Sequence, residues 1–438
     1  MTEVSKKITG IVEISSDIAE KAKKEIKNVS HFEKNIKQVS TEKITDVLDV
    51  ILAGAIILGA SDVHIEPSEK EARLRARIDG ILQDVTSFDS IVFQKVLSRI
   101  KLLSGLKLNI SDRPQDGRFS VSLKEIPVEI RSSTLPAENG ESVVLRILNP
   151  QSLIALESLR LRSDLLAAFN KEIKKPNGMI IVTGPTGSGK TTTLYSFLNK
   201  IKTPENKIIT IEDPIEYHLK GISQTQTNPA RGYDFANGLK SIMRQDPDVI
   251  LVGEIRDLET VQMAIQAALT GHLVLTTLHA NNAAGTIARL ISLGAEPSNI
   301  GPALNMAVAQ RLVRKICPKC SKLKKASAQE IEKIKKGLIG LPKTISAKIP
   351  KITQNLKIPQ AVGCQNCNST GFRERVGIFE AFFVDNEMEK FISTSPSIAL
   401  LEETAIKKGM VTIKQDGLIK VLEGITTLEE IERIVGEE

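Results

Sequence analysis

Four short, almost purely apolar runs mark the middle of this chain. They cover residues 179–182, 208–211, 249–252 and 273–275. Runs of this length without polar alternation are typical of strands that are buried on both faces of a parallel sheet. Helix-forming stretches separate them, so the pattern over residues 166–310 predicts an α/β domain with helices on both faces of its sheet.

The region before this domain has a different pattern. Residues 44–58 have the apolar spacing of a helix, whereas residues 72–78 alternate apolar and polar side chains as a half-buried strand does. A hairpin turn signal follows at Asp79-Gly80, and residues 118–148 predict further strands. We therefore predict a smaller α+β domain over residues 44–148.

Changes in composition set the remaining boundaries. The predicted organisation is an N-terminal arm over 1–43, the small domain over 44–148, a linker over 149–165, the α/β domain over 166–310, a cysteine-bearing segment over 311–375 and a helix-rich C-terminal region over 376–438. Within the cysteine-bearing segment, residues 321–360 hold ten lysines and two glutamates. We interpret them as a solvated excursion, with binding to an acidic partner as the weaker alternative.

The amino-acid composition limits the classes of binding partner but does not identify one. The chain is 41% hydrophobic and 25% charged, which is ordinary for a globular protein. It has no tryptophan and only 3% aromatic residues, which weakens any hypothesis of base stacking in a nucleic-acid groove. A net charge of +7 permits an anionic partner. The longest apolar run, residues 50–60, is too short to span a bilayer, so we expect a cytoplasmic protein.

The strand predicted at residues 179–182 leads into a phosphate-binding loop. The loop consists of Gly184, Pro185, Thr186, Gly187, Ser188, Gly189, Lys190 and Thr191, and Thr192 continues it into a helix. Its glycines let backbone N–H groups point at phosphates, and the helix N-terminus adds a favourable dipole. We predict that ATP or GTP binds here, with Lys190 on the β- and γ-phosphates and the Thr191 hydroxyl on Mg²⁺.

Three other predicted strands end in polar residues. Because ligands of such folds sit at the carboxyl ends of the strands, these residues should face the same crevice. We predict that Glu254 positions or activates water, that Glu212 contacts the metal or its water shell, and that His279 senses the γ-phosphate. The two glutamates could exchange roles, and His279 could equally be structural. Asp213 and Asp257 alone could be helix caps.

Two Cys-x-x-Cys hooks lie in the cysteine-bearing segment. Cys317 and Cys320 form the first, and Cys364 and Cys367 follow after 43 residues. Four thiolates in a cytoplasmic protein predict a closed tetrahedral zinc site with a structural role, and a redox pair is the alternative. The gap between the hooks exceeds that of compact zinc ribbons, so the segment between them must loop out.

Taken in this order, the motifs resemble those of the secretion ATPases that power type II protein secretion and type IV pilus assembly. The resemblance runs from about residue 44 to the C-terminus. Its most specific parts are the phosphate loop, an acidic box at 210–217, residues 244–248 leading into 252–257, a histidine box at 270–279, and the two cysteine hooks. Residues 61–67, 113–119 and 409–424 also look like that family.

The resemblance implies a homo-hexamer associated peripherally with the cytoplasmic face of the inner membrane. Each subunit would pair a small PAS-like domain with a RecA-like P-loop ATPase domain. Motion between them, driven by ATP, would act on a membrane platform protein of the secretion or pilus apparatus. Members usually carry a longer N-terminal domain, so with about 43 residues before the small domain we expect either a truncated chain or a different docking mode.

In such rings, arginines of neighbouring subunits complete each nucleotide site. The matching positions here are Arg131, Arg146 and Arg244. A turn near Asn139-Gly140 places Arg131 and Arg146 almost diagonally across one hairpin, on the same face. Adjacent guanidiniums repel unless an anion lies between them, although solvated strand arginines are an alternative. Weaker rivals share one strand face elsewhere in the small domain, namely Arg73, Arg75 and Arg77.

Two other functions compete with the secretion motor. A nucleic-acid translocase or DNA-uptake motor could use the same P-loop core, but the scarcity of aromatic residues and the cysteine hooks count against it, and we expect no nucleic-acid partner. The other competing function is a nucleotide-gated scaffold that does not hydrolyse its nucleotide. The hooks also argue against the related pilus-retraction motors, which generally lack them.

Overall fold

The computed structural model describes residues 11–123, 126–150 and 154–436. The first ten residues of the predicted arm, residues 151–153 of the predicted linker and the last two of the C-terminal region lie outside this part. The chain forms two compact units. The first contains the described residues before 151 together with Cys317–Cys320 and Val362–Arg373. The second contains residues 154–316, Ser321–Ala361 and 374–436.

The first unit is a seven-stranded sheet backed by helices. Its strands are β1 (Ile11–Glu13), β2 (Asp62–Pro67), β3 (Glu71–Ile78), β4 (Ile81–Asp89), β5 (Gln115–Leu123), β6 (Ile126–Ala137) and β7 (Gly140–Leu148). Their order across the sheet is β1-β5-β6-β7-β2-β3-β4. Its helices are α1 (Ser16–Glu25), α2 (Val29–Lys37), α3 (Ile44–Ile57) and α4 (Ser90–Leu103). The α+β character predicted for this region is confirmed.

The first two helices share one hydrophobic core with the rest of this unit. Phe32 of α2 is fully buried against α3. A Cβ atom at Gly54 would lie 2.2 Å from the Phe32 ring, so glycine is required where the two helices approach. Ala22 of α1 and Ile36 of α2 belong to the same apolar cluster. The described part of the N-terminal arm therefore consists of strand β1 and two helices that pack on this core.

The second unit contains the parallel sheet expected from the apolar runs. Its strands are β8 (Gly178–Thr183), β9 (Ile208–Glu212), β10 (Ser223–Gln226), β11 (Val249–Val252), β12 (Leu273–Leu278), β13 (Leu304–Ile316), β14 (Lys322–Lys325), β15 (Lys357–Gln360) and β16 (Phe372–Phe383). The main sheet has the order β10-β9-β11-β12-β8-β13-β16, and neighbouring strands from β10 to β13 are parallel. β14 and β15 form a separate antiparallel pair.

Helices cover both faces of this sheet. They are α5 (Ser163–Glu172), α6 (Lys190–Ile201), α7 (Phe235–Ile242), α8 (Leu258–Leu269), α9 (Ala283–Ser292), α10 (Pro297–Ala303), α11 (Ala328–Gly337), α12 (Lys343–Ser346), α13 (Asn386–Ser393), α14 (Ile398–Lys407), α15 (Ile413–Leu422) and α16 (Leu428–Val435). Ile181 of β8 belongs to one apolar cluster and its neighbours Ile180 and Val182 to another. The predicted α/β, RecA-like architecture is confirmed.

The lysine-rich stretch over residues 321–360 is folded, so its interpretation as a solvated excursion was wrong. Ile331, Ile334 and Leu338 are spaced along one face of α11, and they pack with Leu418 of α15 and Ile431 of α16 in one apolar cluster. Lysine side chains can project into water around such a core, which is why their number conceals it.

Two further elements cross the boundaries expected from the sequence. β13 runs without a break across position 310, and β16 precedes the four helices of the C-terminal region. In the part of the chain that the structure describes, no helix combines the length and apolar character needed to cross a bilayer.

Candidate nucleotide site

The phosphate loop joins β8 to α6 and depends on its glycines. Gly184, Gly187 and Gly189 all have positive φ angles, of 149°, 78° and 88°, which other residues rarely adopt. A Cβ atom on Gly184 would also lie 2.5 Å from the backbone oxygen of Gln310 and 2.7 Å from the Ser188 hydroxyl. Sterics and backbone angle therefore both require glycine where this loop begins.

Lys190 opens α6 and folds back over the loop. Its Nζ donates hydrogen bonds to the carbonyl oxygens of Gly184 at 2.8 Å and Pro185 at 3.2 Å. Burial lowers the pKa of Lys190, nearby Glu254 opposes this shift, and the Arg311 charge adds to it. The ammonium group is thus held at the loop among other charged side chains, as a phosphate-binding lysine requires.

Glu254 lies at the carboxyl end of β11 in a cluster of opposite charges. One carboxylate oxygen is paired with Arg256 Nη2, and the other lies 3.4 Å from His279 Nε2. Arg256 also lies 3.5 Å from the Asp213 carboxylate. The structure therefore brings together the predicted residues Lys190, Glu254 and His279. Sequence reasoning missed Arg256, although its position two residues after Glu254 was an available signal.

Glu212 has a different environment from Glu254. It is only 3% exposed, and its carboxylate accepts hydrogen bonds from the Tyr195 hydroxyl, from Thr210 Oγ1 at 2.6 Å and from Gln224 Nε2 at 3.1 Å. Burial, followed by the Glu212 charge, raises the pKa of Tyr195. Tyr195 stands one helical turn after Thr191 on the same face of α6, so Glu212 lies deeper along that face than the predicted Mg²⁺ ligand. Its contact with the metal stays a prediction.

The remaining predicted loop residues and caps are readily placed. Thr191 and Thr192 lie half-buried in the first turn of α6. Asp257 accepts a hydrogen bond from the Thr260 N–H at 2.8 Å, which confirms the reading of Asp257 as the cap of α8. Arg244 is exposed in a short 3-10 turn, where its Nη2 lies 3.4 Å from the Ser241 hydroxyl.

Residues of β13 lie against the phosphate loop, and the sequence did not predict this contact. Gln310 Oε1 accepts a hydrogen bond from Thr193 Oγ1 of α6 at 2.8 Å. Its Nε2 would lie 2.9 Å from a Cβ atom on Gly189. The next residue, Arg311, reaches toward Gly184. These residues are more than a hundred positions away from the loop, so only the pairing of β13 with β8 brings them there.

In the first unit, a row of arginines crosses neighbouring strands. Arg131 of β6 lies directly opposite Arg146 of β7, rather than diagonally, and opposite Arg118 of β5 on its other side. The difference from our expectation arises because Ala137 pairs with Gly140, which places the turn at residues 138–139. Side chains directly opposite each other share a face, so three guanidiniums project from one row.

Acidic side chains lie beside this row. Asp62 of β2 lies next in the row, with its carboxylate 3.2 Å from Arg146 Nε and 3.4 Å from Arg77 Nε. Glu129 lies 3.7 Å from Arg131. The rival arginines also have acidic partners: Arg75 donates to Glu66 at 2.6 Å, and Arg73 lies 4.0 Å from Asp84.

The four cysteines meet within the first unit. Their Sγ atoms all lie within 4.8 Å of one another, and the Cys367 sulfur is 3.8 Å from that of Cys320 and 3.7 Å from that of Cys364. A tetrahedron of thiolates at about 2.3 Å from zinc has S···S distances of about 3.8 Å, so the donor set fits Zn²⁺. Burial would raise the pKa of Cys367, but hydrogen bonds from the backbone N–H groups of Cys364 and Gly371, together with those from the Cys320 and Cys364 side chains, lower the pKa to about 7.

The fold and the site together define a P-loop ATPase. Residues 37–433 match the family model for Type II/IV secretion system proteins, and the chain belongs to this family, whose members hydrolyse ATP. It is 43% identical over 397 residues to "Type II secretion system ATPase E" of Vibrio cholerae, covering 90% of this chain and 76% of that protein. It is 39% identical over 432 residues to "Type IV pilus assembly ATPase PilB" of Thermus thermophilus.

The coverage differs between these relatives. The match to the Thermus protein includes 98% of this chain but only 47% of that protein, so the chain spans about half of its length. Among solved structures, the pilus retraction motor PilT with bound ADP is 28% identical, with a TM-score of 0.57 and coverage of 87% of this chain and 95% of that one. The ATPase DotB of Legionella pneumophila, with a TM-score of 0.63 at 22% identity, shares the fold.

Proposed function

We propose that this chain is the ATPase subunit of a motor that assembles a pseudopilus for type II secretion or a type IV pilus. One observation carries the enzymatic part of this proposal. Glu254 lies at the carboxyl end of β11, within ion-pair distance of Arg256 and His279, and it influences the pKa of the phosphate-loop residue Lys190. A carboxylate held beside the phosphates is what water attack on ATP requires.

Each residue then has a distinct role. The loop N–H groups and Lys190 bind the β- and γ-phosphates, and the Thr191 hydroxyl binds Mg²⁺, which draws charge from the phosphates. Glu254 orients the attacking water, while Arg256 and His279 hold its carboxylate in place. Glu212 supports the Mg²⁺ side of the site through α6 and Tyr195.

We further propose a homo-hexamer in which Arg131, Arg146 and Arg244 of neighbouring subunits counter the phosphate charge. The arginine row of the first unit supports this role, because it places three guanidinium groups in register on one face of the sheet. We also propose a peripheral position at the inner membrane, next to a platform protein of the apparatus; the Vibrio and Thermus relatives are named for secretion and pilus assembly, which supports the link to such an apparatus. Those names favour secretion or pilus assembly over a nucleic-acid motor.

The four-cysteine cluster would hold Zn²⁺ in a structural role. Cys317, Cys320, Cys364 and Cys367 would complete the tetrahedron and leave no open position for catalysis. The ion would therefore tie the two hooks together and would not take part in hydrolysis.

Replacing Glu254 with glutamine tests the central assignment. We expect E254Q to bind ATP normally but to turn it over roughly 10²- to 10⁴-fold more slowly, because the amide can no longer orient or activate water. Lys190→Ala should instead lose ATP affinity, and Glu259→Gln on the exposed surface of α8 serves as a control. Unchanged turnover in E254Q would refute the role of Glu254. Salt-sensitive stimulation of the wild type by DNA would favour the translocase.

A further inference from the structure

Arg311 is a cation at the phosphate loop that the mechanism above does not use. It follows Gln310 on β13, just beyond Ala309, which pairs with Thr183 at the end of β8. Its Nη1 lies 3.3 Å from the position that a Cβ atom on Gly184 would occupy. Arg311 therefore projects from the sheet edge where ligands of this fold bind, against the first residue of the loop.

Backbone carbonyl groups hold this guanidinium in position. Nη1 donates to the Gln310 oxygen at 3.1 Å, and Nη2 donates to the Asn281 oxygen at 2.7 Å. Asn281 stands two residues after His279, so the side chain spans from β13 to the loop that carries the histidine. A planar guanidinium fixed by two carbonyls still directs its remaining N–H groups outward.

The charge of Arg311 is poorly compensated. Glu380 is the acidic group that raises the pKa of Arg311 against the effect of burial. Its own carboxylate accepts hydrogen bonds from the backbone N–H groups of Ala283 at 2.8 Å and Ile413 at 3.1 Å. Burial raises the pKa of Glu380 and lowers that of Arg311. Among the described residues no carboxylate forms an ion pair with the guanidinium, although arginine keeps its charge in proteins.

Two half-buried cations thus lie close together. The Arg311 charge lowers the pKa of Lys190, and Glu254, the acid that opposes it, is already paired with Arg256 and His279. A cation cluster that is desolvated and only partly neutralised is costly unless an anion joins it. The phosphate loop identifies that anion as a polyphosphate.

We propose that Arg311 is a second phosphate-binding cation of this site, which binds the polyphosphate tail together with Lys190. This inference rests on the proposed function, because it assumes that the loop binds ATP. Its contribution should grow with the charge of the ligand, so that ATP gains more than ADP. A residue that only braced the loop would affect both nucleotides alike.

Two substitutions distinguish an effect of the Arg311 charge from an effect of its hydrogen bonds to the surrounding loops. R311Q removes the charge but keeps an N–H donor for the carbonyls of Gln310 and Asn281, whereas R311K keeps the charge with a different shape. We expect R311Q to bind ATP roughly ten- to a hundredfold more weakly, as the loss of a hydrogen bond to a charged group implies, with a smaller loss for ADP. R311K should retain most of the affinity.

Calorimetric titration of the full-length chain with ATP and ADP, at two salt concentrations, measures these affinities. Lys348→Gln removes an exposed charge elsewhere in the same unit and should change nothing. Equal losses for ATP and ADP in R311Q, or wild-type affinity in a folded R311Q, would overturn the proposal. If the wild type bound no nucleotide, the proposed function itself would be wrong. That result is distinct from the two R311Q outcomes that would overturn the role of Arg311.

Discussion

The phosphate site and the arginine row both gather positive charge, but they balance it differently. At the phosphate site, Glu254 stands beside Lys190 and is paired with Arg256 and His279, whereas Arg311 has no carboxylate ion-pair partner among the described residues. In the row, Arg118, Arg131 and Arg146 are neighbours across three strands, with Glu129 3.7 Å from Arg131 and Asp62 3.2 Å from Arg146. The first arrangement can bind phosphate with its own residues.

The second arrangement is costly for an isolated unit. Like charges directly opposite each other destabilise a sheet, and nothing in the fold of this unit requires three arginines in register. We expect an anion from outside the unit to neutralise such a cluster. The contrast is that the phosphate site joins its cations to a phosphate-binding loop of the same unit, whereas the row consists of side chains on three neighbouring strands.

We expect the largest effect on turnover from a substitution at Arg131, in the arginine row. Arg131→Gln should lower the turnover of the assembled enzyme roughly 10³-fold, as loss of an arginine supplied in trans does, while the ATP affinity of a single subunit is unchanged. The free energy of unfolding should stay level or rise, because a like-charge neighbour is removed. Steady-state hydrolysis, nucleotide titration and urea unfolding report the three quantities.

Arg73 provides the matched control for this experiment. It projects from the same face of the same sheet but pairs with Glu66 outside the arginine row, so Arg73→Gln should leave turnover nearly unchanged. If Arg131→Gln and Arg73→Gln had the same turnover, the row would be ordinary solvated arginine. A parallel loss of ATP affinity in monomeric Arg131→Gln would place Arg131 in its own subunit's site.

An effect of intermediate size is expected at the cysteine cluster, which belongs to the first unit and not to the phosphate site. Cys317→Ser should destabilise the two hooks by about 3 kcal/mol, less than the total binding energy of structural zinc because three thiolates remain. The Asn368 side chain accepts a hydrogen bond from the Val29 N–H at 2.8 Å, so α2 should loosen as well. Hydrogen exchange over residues 317–320, 362–373 and 29–37 measures both.

The phosphate site is the internal control for that variant. A folded Cys317→Ser protein should keep the ATP affinity of the wild type, and adding zinc back to chelated wild type should restore exchange protection. Weakened ATP binding in the folded variant would show that the cluster supports the nucleotide site, against our assignment.

The sequence predicted some features well because their signals are local. Strands buried on both faces are continuous apolar runs, and the phosphate loop needs glycine, lysine and threonine at fixed spacing, so β8, β11 and the loop could be located in advance. The direct pairing of Arg131 with Arg146 could not, since a shift of the turn by one residue changes which side chains are opposite.

Other features depend on partners that are distant in the chain. Gln310 and Arg311 reach the phosphate loop only because β13 pairs with β8. The core beneath the lysine-rich stretch requires α15 and α16 to cover Ile331 and Ile334, and its many lysines dominate any average over that stretch. Without the covering helices, the sequence did not indicate burial there.

The smallest expected effect concerns another unbalanced charge in the first unit, the carboxyl group of Asp49 in α3. Burial, together with nearby Asp46, raises the pKa of Asp49 to about 6, and Arg99 opposes this only weakly. Asp49 is 5% exposed, and its Oδ1 has no hydrogen-bond partner among the described residues. The native state therefore favours the neutral acid, whereas the unfolded chain ionises near pH 4.

The sign of the pH dependence follows from this difference. Between about pH 4 and pH 6 the native state binds a proton that the unfolded state has released, so stability falls as pH rises and is lowest above pH 6. A shift of about two pKa units corresponds to at most about 3 kcal/mol. Asp49→Asn removes this dependence and should stabilise the first unit by about 1–2 kcal/mol at pH 8, with little change at pH 4.

Urea unfolding at both pH values measures this effect on the free energy of unfolding, and Asp112→Asn in an exposed loop is the control. Equal effects of Asp49→Asn at both pH values would mean that the native state does not raise the pKa of Asp49, and greater destabilisation at pH 8 than at pH 4 would mean that the native state prefers the ionised carboxylate.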